Sequence, residues 1–324
     1  MNPLNFYNEK LEKEMFAIIK FFIKFYKNKL NDYQRDAIMK YKSDYDINNF
    51  ILGKNKSLDL LTGHTKEKSK IIDEVLKNQY KKIFQINELD NIFHIVPAYN
   101  KKIVTYRGLH ICNCYPIEVG LKNMIYTLER SNIGKEFMYS TFLSTSLDIN
   151  IAFYNFANPV WYNCEKKNSN KKYLNKLETT CDDLFELFGK KFFLLMKINI
   201  PKGNKFLYLD FFGYYESYIK NKIKIDENEI LLPRNSKLKL VKRYDKKMNI
   251  RQPNQYLFNN ILKNKVKHEK LPTRVYEFDY IGYEDNNEKI DINVFLEFDK
   301  NKKYLKEIAK QVENELKKPF SKKY

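Results

Sequence analysis

The chain has 324 residues, 43% of them hydrophobic and 15% aromatic, which is enough apolar side chain to bury a sizeable core and excludes a disordered tail. Its formal net charge of +19 comes from 59 Lys and Arg against 40 Asp and Glu, and only seven of the basic residues are Arg. Nucleic-acid recognition favours Arg forks as well as Lys point charges, and here the lysines are strewn through every segment. The charge therefore reads first as a solvated, self-repelling surface, with a weak polyanion or membrane-surface contact through Lys-rich segments as the alternative.

The four cysteines, Cys112, Cys114, Cys164 and Cys181, form no CxxC pair and no zinc spacing with the four histidines. Free thiols in a reducing compartment and no metal are the expectation. A membrane span needs about 20 continuous apolar residues, and the most apolar stretch, Met15 to Tyr26, is broken by Lys20 and Lys24. A cleavable leader needs roughly 7–15 unbroken apolar residues. A cytoplasmic monomer is expected, in the producing cell or in a host cell.

In chain order, residues 10–27 read as a helix with Lys20, Lys24 and Lys27 as a narrow basic stripe and aromatic and aliphatic side chains around the rest. Docking on the protein core is expected, and a membrane-surface helix is the alternative. Helical patterns follow over 33–41, 46–52 and 68–80, with Asp32 and Asp46 as N-caps. After Pro97 the period changes to two. Runs 102–109, 138–145, 192–200, 205–211, 229–232 and 237–244 read as strands. An Asn/Lys-rich stretch between Asn163 and Lys176 reads as a surface loop. Beyond Asn249, strand-like runs 274–283 and 290–298 flank a turn, and a helix carries Leu305, Ile308, Ala309, Val312 and Leu316 on one face.

Three strings stand out: Thr105-Tyr106-Arg107-Gly108 in the first strand, Ser144-Thr145-Ser146 ending a later one, and Glu227-Asn228-Glu229 before Ile230-Leu231-Leu232-Pro233. Each alone has an ordinary explanation: a strand arginine in an ion pair, a helix cap before Asp148, two solvated glutamates on an edge. Their order and strand contexts together are more specific.

In that order they resemble the arginine-serine-glutamate class of mono-ADP-ribosyltransferases, of the kind found as enzymatic components of binary and insecticidal toxins. Ala37-Ile38, Tyr41, Tyr45 and Ile47-Asn48 are similar to the family's helical entry, and Ile200-Pro201-Lys202-Gly203 with Leu207-Tyr208-Leu209 to its strand–turn–strand before the glutamates. The resemblance runs from Lys29 to Tyr244. It implies an α+β fold, N-terminal helices packed on a two-sheet mixed β-sandwich core. The division expected is an N-terminal amphipathic helix at 1–28, a catalytic domain at 29–248 with an insert at about 158–190, and a hairpin-plus-helix extension at 249–324.

The resemblance also implies NAD as co-substrate. Cleaving nicotinamide from ribose passes through an oxocarbenium-like state, which a fixed carboxylate stabilises; that role falls to Glu229, oriented by Ser144. Arg107 would hold the phosphate side, Gly108 would let the backbone approach the nicotinamide amide, and Thr145 and Phe153, preferred over Phe156, would complete the pocket. Glu227, two residues before the catalytic glutamate, resembles the arginine-modifying pattern, because a protonated guanidinium needs a carboxylate to hold it and take its proton. On an extended strand, residues 227 and 229 would share a face about 6.6 Å apart. Tyr214, Tyr215 and Tyr218 would face the protein substrate. Two other readings stay open: a nucleic-acid or membrane-surface binding protein on an inactive scaffold, and ADP-ribosylation of a nucleic acid.

Overall fold

The computed structural model of the chain describes residues 9–43, 66–109, 125, 127–153, 193–210, 228–249, 270–285 and 310. The elements over them are α1 (Glu9–Asn28), α2 (Asp32–Ser43), α3 (Lys66–Ile95), β1 (Ile103–Leu109), β2 (Glu136–Tyr139), β3 (Leu143–Ser146), the single turn α4 (Ile149–Ile151), β4 (Phe193–Ile200), β5 (Leu207–Tyr208), β6 (Glu229–Leu232), β7 (Ser236–Asn249) and β8 (Lys270–Tyr283). The expected helix at 46–52, the four cysteines, the Asn/Lys-rich insert, the run at 290–298 and all but Lys310 of the C-terminal helix lie outside the described residues.

Helix α1 buries Met15, Ile18, Phe22, Phe25 and Tyr26 and turns Lys20, Lys24 and Lys27 outward, as its periodicity requires. Phe22 lies 5.3 Å from Phe206 and 6.0 Å from Tyr99, ring centre to ring centre. The Tyr26 hydroxyl accepts from the Tyr208 amide at 2.8 Å and faces the Tyr208 carbonyl at 3.3 Å, bridging α1 to β5. Burial pushes the Tyr26 phenol well above its ordinary pKa. Most of the aromatic side of α1 is thus spent on the core, as expected, with Phe16 left exposed. Phe22→Ala is expected to cost about 3–5 kcal/mol of unfolding free energy, read from urea denaturation followed by circular dichroism; a loss under 1 kcal/mol would mean that α1 is not docked.

Helix α2 opens on a capping box, not on Asp32. The Gln34 amide donates to Asn31 Oδ1 at 2.9 Å and the Asn31 amide to Gln34 Oε1 at 3.2 Å. Helix α3 is more than twice as long as its sequence pattern suggested, because the stripe continues through Ile83, Ile86, Leu89, Ile92 and Phe93, all buried. Phe93 stacks on Phe142 at 6.0 Å and Tyr41 of α2 meets the same ring at 5.8 Å. The single expected strand at 138–145 is two strands, β2 and β3, with residues 140–142 carrying the chain from one side of the sheet to the other.

The eight strands hydrogen-bond in the order β2-β7-β8-β4-β1-β3-β6-β5, antiparallel except for β4 against β8. Between β1 and β3 the register rests on one pair, Tyr106 with Ser146. The two sheets expected from the sequence are the five strands and the three strands on either side of that seam, joined there and sharing one core cluster with the helices.

Strand β8 overturns the division of the chain at Asn249. It lies inside the sheet between β7 and β4, with Tyr276, Phe278 and Tyr280 in the core. The alternate residues meet partners on β4: Glu277 takes Lys197 at 2.8 Å, and Asp279 accepts from Asn199 at 3.0 Å. Alternation in a strand reveals its faces and leaves its partners unspecified, so a sequence beyond the family-like hairpin read as an appendage.

Candidate active site

The three strings converge on the seam. Arg107 comes from β1, Ser144 from β3 and Glu229 from the first position of β6. Ser146 pairs with Glu229 across the β3–β6 ladder. Ser144, two residues earlier on β3, shares its face and lies diagonally opposite. The Ser144 hydroxyl donates to Glu229 Oε1 at 2.6 Å. The Arg107 guanidinium donates through Nη1 to the Ser144 carbonyl at 2.6 Å and sits 5.7 Å from the centre of the Tyr139 ring. Glu229 is buried, with 6% of its surface exposed.

Backbone contacts fix Glu229 from both ends. The Asn228 carbonyl accepts from Leu147 N and the Glu229 carbonyl from Leu209 N, each at 3.0 Å. The Glu229 amide donates to Asp210 Oδ2 at 2.9 Å, and Lys42 of α2 pairs with Oδ1 of the same carboxylate. At the far end of β6, Arg234 forks onto Asp90 of α3 at 2.8–2.9 Å, and burial lifts the Asp90 carboxyl above its ordinary range in spite of the arginine. A helix therefore holds each end of β6.

Asn228 has φ 49, in the left-handed region, and β6 begins only at Glu229. The chain bends there, and Asn is among the few residue types that take this conformation without strong penalty. The extended geometry expected over 227–229 therefore does not hold at Asn228. Glu227, Tyr214, Tyr215 and Tyr218 lie outside the described residues.

Three other expected site residues are placed differently from the core trio. Thr145 points to the opposite side of β3, where its hydroxyl donates to the Ile230 carbonyl at 3.0 Å. Strand alternation makes this unavoidable once Ser144 faces Glu229. Gly108 is buried in β1 opposite Leu195 of β4. Phe153 is 1% exposed and packs with Met248, Ile149 and Phe193, 4.8 Å from the last ring, so in this conformation it is a packing residue. Asp148 caps α4 by accepting from Asn150 N at 2.8 Å, and its own amide donates to Ser146 Oγ at 3.0 Å. Sequence reasoning missed Asp210, Lys42 and Tyr139. Only Asp210 carried a signal, an acid ending the apolar run Phe206–Leu209. Among the described residues no group of His, Cys, Asp or Glu could hold a metal, and no helix is long and apolar enough to cross a membrane.

Solved structures similar to the chain include Plx2a, an ADP-ribosyltransferase toxin from Paenibacillus larvae, at 14% identity and TM-score 0.41 over 83% of this chain and 96% of that one. The C3 exoenzyme of Clostridium limosum gives 15% identity and TM-score 0.41 over 82% and 93%. BECa, an ADP-ribosylating toxin of a C. perfringens binary enterotoxin solved with NADH, gives 14% and 0.44 over 87% and 50%. None of the curated proteins matches the chain. The ADP-ribosyltransferase exoenzyme family model matches residues 20–270, well over half of the sequence, and the chain belongs to that family, whose reaction uses NAD as co-substrate.

Proposed function

We propose that the protein transfers ADP-ribose from NAD to arginine side chains of a target protein, releasing nicotinamide, and that it hydrolyses NAD slowly when no acceptor is present. The observation that carries this reading is the 2.6 Å bond from Ser144 to the buried carboxylate of Glu229, with Arg107 held on the same serine. A carboxylate fixed before the substrate arrives stabilises developing positive charge on ribose without reorganising during the reaction. As the bond from ribose C1 to the nicotinamide nitrogen breaks, nicotinamide leaves with the electron pair and Glu229 faces the electron-deficient sugar. Arg107 supplies a positive charge for the dinucleotide phosphates.

The acceptor follows from Glu227. A guanidinium is protonated near neutral pH and attacks only after losing a proton, which a neighbouring carboxylate accepts. Incubation with labelled NAD and a cell lysate, followed by mass spectrometry of the modified peptides, tests the reading. Label on arginine is expected. Label on asparagine, or on nucleic acid, would overturn the acceptor assignment and leave the transferase chemistry in place.

A further inference from the structure

Asp210 stands outside the Arg107, Ser144 and Glu229 trio yet touches the catalytic strand directly. It is the residue after Leu209 at the end of β5, 2% exposed, and both of its oxygens are engaged: Oδ2 accepts from the Glu229 amide at 2.9 Å and Oδ1 pairs with Lys42. Beside it, the Leu209 amide donates to the Glu229 carbonyl at 3.0 Å. The chain leaves this point at Asp210 and returns to it at Asn228, so the segment that carries Glu227 starts and ends at the same clasp. A buried ion pair contributes little net stability compared with apolar packing; what it does supply here is direction. A carboxylate has two acceptor edges. One is committed to helix α2 and the other to the single amide that precedes the Glu229 side chain.

We propose that Asp210 is a positioning residue. Held by Lys42, it fixes the backbone of Glu229 so that the catalytic carboxylate meets Ser144. This rests on the transferase reading above. Neither side chain touches the reacting atoms. The neighbouring bend gives the clasp its purpose: at Asn228 the backbone is left-handed, and the anchor on the next amide adds to the Ser146 pairing and the Leu209 bond that hold the first residue of β6. Since a displacement near 1 Å at a reacting group can cost about a hundredfold in rate, loss of the anchor acts on the chemical step more than on NAD binding.

The test uses three forms of the full chain: wild type, Asp210→Ala and Asp210→Asn. The asparagine keeps an oxygen for the Glu229 amide and gives up the charge opposite Lys42. Two readouts are taken, amide hydrogen exchange at Glu229 without NAD, and kcat and KM for NAD hydrolysis. Asp210→Ala should lose protection at Glu229 and lower kcat about 10- to 100-fold with KM changed less than about threefold. Asp210→Asn should recover most of the protection and bring kcat to within about fivefold of wild type. Unchanged protection at Glu229 in Asp210→Ala would overturn the clasp. Lost protection with kcat unchanged would overturn its role in positioning. If the alanine variant does not fold, the asparagine decides: a kcat loss as deep as tenfold with Glu229 still protected would contradict the proposal. A wild-type protein that cleaves no NAD would instead defeat the transferase reading, while the exchange data still decide whether Asp210 anchors Glu229.

Discussion

Glu229→Gln is expected to lower NAD cleavage by about 10²–10³, with hydrolysis and transfer falling together. The substitution is a narrow one. Glutamine matches glutamate in size, its side-chain oxygen still accepts from the Ser144 hydroxyl, and the backbone bonds from Leu209 and to Asp210 are untouched. What disappears is the negative charge. In water a single charge a few ångströms away is worth about 1 kcal/mol, and it counts for several times more where burial lowers the effective dielectric; Glu229 is buried. Because both half-reactions share the bond-breaking step, no acceptor can rescue the variant. Nicotinamide release is the direct measurement, with circular dichroism as the check that the fold is intact. Turnover at the wild-type level would remove Glu229 from the mechanism, and with it the meaning of the Ser144 contact.

How much of this was legible in the sequence depends on the range of the interaction. The face of α1 was legible, because helix periodicity is local and its buried and exposed residues fall where the 3.6-residue repeat puts them. The strands that carry Arg107, Ser144 and Glu229 were legible as strands. That the three meet was legible only through the family resemblance, since Ser144 and Glu229 stand 85 positions apart and nothing in either segment names the other. That Thr145 faces away from Ser144 was legible from alternation alone, because adjacent strand residues face opposite ways. The position of β8 was not legible: its alternating pattern suits an edge hairpin as well as an internal strand, and only the register with β4 and β7 distinguishes them. The bend at Asn228 lay between the two glutamates that drew attention, and an assumption of extended chain concealed it. Asp210 and Lys42 were hidden for the same reason as β8, since their partners are distant in sequence.

Glu227→Gln should separate the two half-reactions. If Glu229 serves the ribose and Glu227 the incoming guanidinium, water, which is small and already neutral, needs no carboxylate to hold it. NAD hydrolysis should then survive within about tenfold, or about 1.4 kcal/mol of barrier. Transfer to arginine should fall by roughly 10²–10⁴, the range associated with losing a general base. Glutamine keeps the shape and the hydrogen-bonding reach of the side chain, so the difference between the rates isolates charge and proton acceptance. The bend at Asn228 sharpens this expectation. In an uninterrupted strand the two carboxylates would sit on one face, close enough for removal of one charge to shift the ionisation of the other. The left-handed backbone at Asn228 and the start of β6 only at Glu229 remove that premise of one shared strand face. The assay is paired: nicotinamide release without acceptor, and label incorporated into an arginine-rich protein or a small guanidino compound. If both rates collapse together, Glu227 belongs to the NAD site and the arginine assignment loses its support. If neither rate changes, the acceptor is not a guanidinium, and another side chain or a nucleic-acid base takes its place as the substrate to test.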